Sequence, residues 1–265
     1  MRSRHNPSMA LELNSDVTGS GPPVVVLHGL FGSATNWRSV ARQLAGAHEV
    51  HALDLRNHGA SPWDPQMDYD AMADDVRHYI DSHQLQNVTV MGHSMGGKTA
   101  MALALAHPDR IERLIVVDIA PHSYSDALSS YAQAMRSVDL MAAASRTEVQ
   151  RQLQGLLPDA SVAPFLVQNL VQRNEHFDWR INLAAITACM PSLVDFPAAL
   201  KKRRFDKTTT VIAGALSDYV PGGDISSFAP MFPNLHVEVI AGAGHWVHAD
   251  KPQEFVAAVQ RALER

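Results

Sequence analysis

The sequence contains one cysteine, few charges and no long apolar run. Cys189 is the only cysteine among 265 residues, so an internal disulfide is impossible and a reducing compartment is expected. Lys and Arg (22) are outnumbered by Asp and Glu (27), and the formal net charge of −5 gives no electrostatic basis for binding nucleic acid or an anionic membrane. The N-terminal residues 1–23 are polar and broken by Pro and Gly, and they contain neither the apolar core of a signal peptide nor a run long enough to span a bilayer. We therefore predict a cytoplasmic protein that acts on a small molecule.

Short apolar runs alternate with helical patterns along most of the chain. The strand patterns cover residues 24–27, 49–53, 88–91, 114–117, 209–213 and 236–240, and the helical patterns cover 36–44, 69–83, 95–106 and 252–263. Most of these strands are continuously apolar, which is typical of strands that are buried on both faces of a parallel sheet. The pattern predicts one α/β domain over residues 1–265, with a mostly parallel, doubly wound sheet and a site beyond the carboxyl ends of the strands.

The alternation is interrupted once, between residue 118 and about residue 207. This segment has no convincing strand but many helix formers, and it is too long to be a plain loop in a compact domain. We expect residues 121–188 to form a helical lid over the site. Most aromatic residues of the lid should form its core, but Tyr124 and Trp179 are candidates for contacting the substrate.

The motif G-x-S-x-G occurs at residues 92–96, between a strand pattern and a run of Ala, Leu and Met. A strand, a sharp turn and a helix place such a serine on a strained turn with its hydroxyl exposed. Ser94 is therefore the predicted nucleophile, and the amide of Met95 is a predicted donor to an oxyanion. Residues 92–99 also match the sequence pattern of a phosphate-binding loop. A nucleotide-binding protein of that type would need a second strand with an acidic residue for magnesium, and this interpretation leaves His245 and the lid unexplained.

A serine hydroxyl needs a base, and in this type of fold the base comes late in the chain. His245 follows the last strand pattern and a Gly-Ala-Gly turn, so it is the predicted base. His248 is the competing candidate, but it lies three residues further on, where the final helix approaches.

Two carboxylates at strand ends compete for the role of the acid that orients the base. The usual pattern G-x-x-D would place the acid at position 217, but Ser217 stands there and Asp218 is one residue late. Asp118 closes the run 114–117 and can point into the cleft, so we favour Asp118 and keep Asp218 as the alternative.

The loop after the first buried strand reads His-Gly-Leu-Phe-Gly, and the residue after His-Gly normally gives its amide to the oxyanion. Leu30 is therefore the second predicted donor. Phe31 and Trp246 stand beside these residues and are candidate substrate contacts. Arg56 lies in a polar turn after the second strand pattern, where it either binds an anionic substrate group or pins neighbouring loops.

Five segments carrying these residues resemble the small-esterase branch of the α/β-hydrolase superfamily, which includes the YbfF-type esterases and abhydrolase domain-containing protein 11. They are residues 28–37, 54–59, 92–100, 117–121 and 242–248. The resemblance implies an α/β-hydrolase fold and hydrolysis of a carboxylic ester or thioester without a metal or organic cofactor. It also implies that the acid follows the sixth strand, at Asp118. The first nine residues carry no matching motif, and we expect them to be frayed.

These observations predict a serine esterase that forms an acyl-enzyme through a Ser-His-Asp triad. Two other outcomes stay open. A C–C bond hydrolase or a perhydrolase would use the same triad, and a small-molecule receptor of the same fold would bind a ligand without turnover.

Overall fold

The computed structural model describes residues 10–174 and 176–265, so the expectation that the first nine residues are frayed falls outside the described part. Its strands are β1 (Ser15–Gly19), β2 (Pro23–Leu27), β3 (Glu49–Leu53), β4 (Thr89–His93), β5 (Arg113–Val117), β6 (Leu170–Arg173), β7 (His176–Trp179), β8 (Thr209–Gly214) and β9 (Leu235–Ile240). Its α-helices are α1 (Arg38–Leu44), α2 (Tyr69–Ser82), α3 (Met95–Ala106), α4 (Leu128–Ser137), α5 (Arg146–Leu156), α6 (Ala163–Val167), α7 (Leu183–Val194), α8 (Val247–Asp250) and α9 (Pro252–Glu264).

Seven strands form one sheet in the order β1-β3-β2-β4-β5-β8-β9. Each neighbouring pair is parallel except β1 and β3, which pair antiparallel with Ser15 opposite Leu53. All six predicted strands are present, and the predicted mostly parallel α/β sheet is confirmed. The short edge strand β1 was not predicted, because its sequence SDVTG has only one apolar residue.

The central strands are buried on both faces because helices cover the sheet from both sides. Alternate residues of β2 show this: Val25 and Leu27 pack into the core with α2 and α3, whereas Val24 and Val26 pack into the core with α1 and α9. Every residue of β4 and β8 is buried. Burial on both faces explains why these strands are continuously apolar in the sequence.

The chain between β5 and β8, called here the insertion, contains α4 to α7 and a hairpin of β6 and β7. The prediction that this region has no strand is wrong. Each hairpin strand has only four residues, and Leu170 and Trp179, which face each other at its base, are its buried positions. So short a pattern is hard to recognise in a sequence. The helical part also continues past the predicted end at residue 188, since α7 ends at Val194.

The insertion is tied to the main sheet layer by specific hydrogen bonds as well as by apolar packing. The Tyr69 hydroxyl in α2 donates to the carbonyl oxygen of Leu193 at 2.6 Å.

In the described part of the chain, no helix combines the length and the apolar character needed to cross a bilayer.

Candidate active site

Ser94 lies in a sharp turn between β4 and α3. Its backbone has φ 54° and ψ −119°, a strained conformation for a residue with a side chain. The turn requires glycine on both sides, because a Cβ on Gly92 would lie 2.1 Å from the carbonyl oxygen of Gly96, and one on Gly96 would lie 2.5 Å from that of Leu27. The main-chain N–H of Ser94 donates to Val117 at 3.1 Å, which fixes the turn at the end of β5.

His245 and Asp118 form a hydrogen-bonded pair beyond the carboxyl ends of the strands. Nδ1 of His245 lies 2.8 Å from Oδ2 of Asp118, which follows β5 directly and is fully buried. Because Nδ1 is engaged with the carboxylate, Nε2 is the nitrogen left for chemistry. Asp218 is exposed and lies at the wall of the adjacent cavity.

The Asp118 carboxylate is held by three donors. Oδ1 accepts a hydrogen bond from the main-chain N–H of Gly214 at 2.9 Å, and Oδ2 accepts one from the hydroxyl of Ser217 as well as the one from His245. The serine at position 217, where the usual pattern would have the acid, therefore supports the carboxylate of Asp118. A buried carboxylate with this many donors stays fixed in one orientation.

Two aromatic side chains hold His245 in position, and neither was predicted from the sequence. The ring of Tyr219 stacks on the imidazole with 3.9 Å between ring centroids. His93 Nε2 lies 2.8 Å from the carbonyl oxygen of His245, to which it donates a hydrogen bond. Burial, and secondarily the neighbouring His245, lowers the pKa of His93 well below its usual value, so its imidazole is neutral. The only signals in the sequence were that His93 stands next to Ser94 and that Tyr219 stands two residues after Ser217.

The loop after β2, which carries Leu30, is fixed on both sides of Phe31. The amide of Phe31 donates to Nε2 of His58 at 3.2 Å, and its carbonyl oxygen accepts a hydrogen bond from Asn169 at 2.7 Å. Burial lowers the pKa of His58 to about 3, so the ring is neutral and its Nδ1 donates to the carbonyl oxygen of Arg56 at 3.0 Å. Leu30 precedes this anchored residue, and Met95 is the first residue of α3, directly after Ser94.

Arg56 does not contact the substrate cavity, so its interpretation as a ligand for an anionic substrate is wrong. Its side chain is 1% exposed and is paired with Asp75 of α2, with Nε 2.6 Å from Oδ2 and a second contact of 2.8 Å. It also donates to the carbonyl oxygens of Gln66 and Ala71. The alternative reading, that Arg56 pins neighbouring loops, is the one that agrees with the structure. The sequence does not reveal that this arginine is buried.

A cavity of about 380 Å³ opens over this arrangement. Ser94 and His245 both line it, together with Leu30, Phe31 and Trp246 from the predicted site. The insertion closes its other side with Leu128, Tyr131 and Phe165. Trp179 is not among the residues around it, so the prediction that Trp179 contacts a substrate is wrong. Its side chain is 6% exposed, and its indole N–H donates to the carbonyl oxygen of Met135 inside the insertion.

Tyr124 lies beside a second, smaller pocket that also reaches Ser94. Its hydroxyl donates to the carbonyl oxygen of Tyr219 at 2.8 Å and accepts from the amide of Ala120 at 2.8 Å. These bonds join Tyr124, near the start of the insertion, to the segment after β8.

His248 is in a different environment from His245. Its ring packs against Trp37, 4.7 Å between centroids, and against Phe255. Burial lowers the pKa of His248 to about 4, and within the described residues its Nδ1 has no hydrogen-bond partner. Among the residues that the structure describes, no carboxylate forms a hydrogen bond with His248, in contrast to His245.

A serine on a strand–helix turn and a histidine–aspartate pair beyond the carboxyl ends of a parallel sheet are typical of α/β hydrolases. The sequence model of a family described as alpha/beta hydrolase fold matches residues 22–252. The chain belongs to this family, and the suspected small-esterase branch is confirmed by named relatives.

The chain is 41% identical to the sn-1-specific diacylglycerol lipase ABHD11 of Xenopus laevis over 252 residues, covering 92% of this chain and 80% of the relative. It is 37% identical to esterase YbfF of Escherichia coli (strain K12) over 245 residues, covering 91% and 92% of the two chains. A solved structure of a marine microorganism esterase superposes with a TM-score of 0.91 at 35% identity, covering 95% of this chain and 99% of the other. The protein is a carboxylic ester hydrolase.

Proposed function

We propose that the protein hydrolyses small-molecule carboxylic esters or thioesters through a covalent acyl-enzyme on Ser94. The observation that carries the proposal is the 2.8 Å hydrogen bond between His245 and Asp118, beside a cavity that His245 shares with Ser94. A serine hydroxyl is a weak nucleophile until a neighbouring base accepts its proton.

In the first half-reaction, Oγ of Ser94 attacks the carbonyl carbon while Nε2 of His245 accepts the hydroxyl proton. The carbonyl oxygen becomes an oxyanion, which the amides of Leu30 and Met95 stabilise. The bond to the leaving alcohol or thiol then breaks, and His245 gives it the proton. Asp118 keeps the imidazole in the required tautomer and stabilises the imidazolium.

In the second half-reaction, His245 accepts a proton from water, and the resulting hydroxide attacks the acyl carbon. The ester bond to Ser94 breaks, His245 returns the proton to Oγ, and the carboxylic acid leaves. The proton of Ser94 therefore leaves with the alcohol or thiol and is replaced by one from water, so the free enzyme is restored and the sum of the two steps is hydrolysis.

Comparison of wild type with Ser94→Ala on an aryl ester such as p-nitrophenyl acetate tests this mechanism. We expect kcat to fall on the order of 10⁴- to 10⁶-fold, with an unchanged circular dichroism spectrum. A fluorophosphonate probe should label the wild type and not the variant. Ser61→Ala, which removes another buried serine hydroxyl, serves as the matched control.

Two results would contradict the proposal. A folded Ser94→Ala variant with wild-type turnover would exclude Ser94 as the nucleophile. A wild-type protein that binds small esters without turning any of them over would instead be a receptor on this fold.

A further inference from the structure

Ser94 lies where two pockets of very different size meet. The larger is the cavity of about 380 Å³, and the smaller, called here the inner pocket, has about 30 Å³. Both pockets are lined by Ser94 and Leu30, but only the larger is lined by His245. Met95 and Lys98 line the inner pocket alone.

We propose that the inner pocket is the acyl subsite and that it restricts the substrate to short acyl groups, while the larger cavity holds the alcohol or thiol. This inference rests on the proposed function. His245 must protonate the leaving oxygen or sulfur, so the leaving group lies on the side that His245 lines.

The acyl chain takes the remaining direction at the reacting carbon. That carbon is bonded to Oγ of Ser94, to the oxyanion and to the leaving group, and the fourth substituent is the acyl chain. The oxyanion points to the amides of Leu30 and Met95, two residues that also line the inner pocket. The inner pocket is therefore next to the oxyanion donors, and His245 is not among the residues that line it.

The size of the inner pocket sets the length of the chain. At about 30 Å³ it has less than a tenth of the volume of the larger cavity, at about 380 Å³, so it accommodates a short acyl group and excludes an extended chain.

The wall of the inner pocket is held in place at the end of α7. Nζ of Lys98 donates to the carbonyl oxygens of Val194 at 2.9 Å and Asp195 at 2.7 Å, and the Tyr69 hydroxyl donates to that of Leu193. The Lys98 side chain lies over the ring of Tyr124, 4.9 Å from its centroid, and is almost fully buried. Burial lowers the pKa of Lys98 to about 7, and in either protonation state its amino group can donate to the carbonyl oxygens at the end of the helix. Lys98 therefore resists the outward movement of α7 that a longer chain would require.

A crossed panel of substrates tests the assignment. In one series the alcohol is fixed as p-nitrophenol and the acyl group is acetyl, butyryl, hexanoyl or octanoyl. In the other the acyl group is fixed as acetyl and the alcohol grows from phenol to naphthol and larger aryl alcohols. We expect kcat/KM to fall at least tenfold from butyryl to octanoyl, and to vary less than fivefold across the acetates.

Variants of α7 test the wall directly. Leu193→Ala enlarges the inner pocket and should raise the octanoyl-to-butyryl ratio of kcat/KM about tenfold. Leu183→Ala removes the same atoms from the same helix at a buried position that lines neither pocket, so its ratio should match wild type. Leu193→Val is the milder substitution if Leu193→Ala does not fold, and the wild-type panel is decisive without either variant.

Three results would overturn the inference. The first is hydrolysis of octanoyl esters as fast as butyryl esters, and the second is a wild-type ratio in Leu193→Ala. The third is a change of acyl preference in Phe165→Ala, which would place the acyl chain in the larger cavity. Each of these leaves ester hydrolysis by Ser94 intact. Absence of both turnover and fluorophosphonate labelling would instead overturn the proposed function, and the inference with it.

Discussion

The side-chain amide of Asn169 donates a hydrogen bond to the carbonyl oxygen of Phe31 at 2.7 Å. Asn169 belongs to the insertion and is 1% exposed, whereas Phe31 belongs to the loop after β2 that also carries Leu30. This bond links the position of the insertion to the loop that we propose as part of the oxyanion site. His58 holds the same loop from the opposite side through the Phe31 amide.

Replacing Asn169 by leucine should therefore lower kcat about tenfold with little change in KM. Loss of a direct oxyanion donor costs about 10²- to 10³-fold, and an indirect displacement of the Leu30 amide should cost less. Steady-state kinetics on one aryl ester measures both constants. Gln172→Leu, at an exposed position of β6, the strand that follows Asn169, is the control. A lowered melting temperature with unchanged kcat would show that Asn169 only stabilises the fold.

The two candidate acids should respond differently to the same substitution. Asp118→Asn should lower kcat/KM by about 10⁴-fold, because the amide leaves His245 in the wrong tautomer and its imidazolium unstabilised. Asp218→Asn should change it less than threefold, since Asp218 is exposed at the cavity wall. The specificity constants of both single variants and the double variant on one aryl ester decide between them. Activity that disappears only in the double variant would show that each carboxylate replaces the other.

Arg56→Met should destabilise the protein and leave substrate selectivity unchanged. The substitution removes the guanidinium from a buried carboxylate, that of Asp75, and breaking a buried pair costs about 3–5 kcal/mol in free energy of unfolding. Urea denaturation measures this loss. The double variant Arg56→Met with Asp75→Leu should recover part of it, because no charge is then left unpaired. A selective rise in KM for carboxylate-bearing esters at unchanged stability would instead restore a substrate-binding role.

The buried histidines should make the fold less stable in acid. Burial lowers the pKa of His248 to about 4, whereas the unfolded chain binds that proton at about pH 6.5. The stability contributed by the neutral ring is fully present above about pH 6.5 and is lost as the pH falls from there to about 4. His248→Phe keeps an aromatic ring against Trp37 and does not titrate. Between pH 7.5 and 5 the variant should lose about 2 kcal/mol less than wild type in urea denaturation. Equal losses would show that His248 is not buried as a neutral ring.

The sequence by itself determined which segments form the main strands and the turn that presents Ser94. Their signals are local, because an apolar run followed by glycines and helix formers lies within one short segment of the chain. The position of His245 follows from chain order in the same way. The four-residue hairpin strands and β1 lacked such a signal, because their apolar patterns are too short.

The tertiary structure alone decided which side chains meet. Ser217 supports a carboxylate 99 residues away, and Asn169 holds a loop 138 residues away. The sequence did not decide whether Arg56 binds a substrate or pins neighbouring loops. Its burial against Asp75 favours the second role. Trp179, a candidate substrate contact, lies inside the insertion. The direction of a side chain depends on how distant elements pack around it, and a local pattern carries no record of that packing.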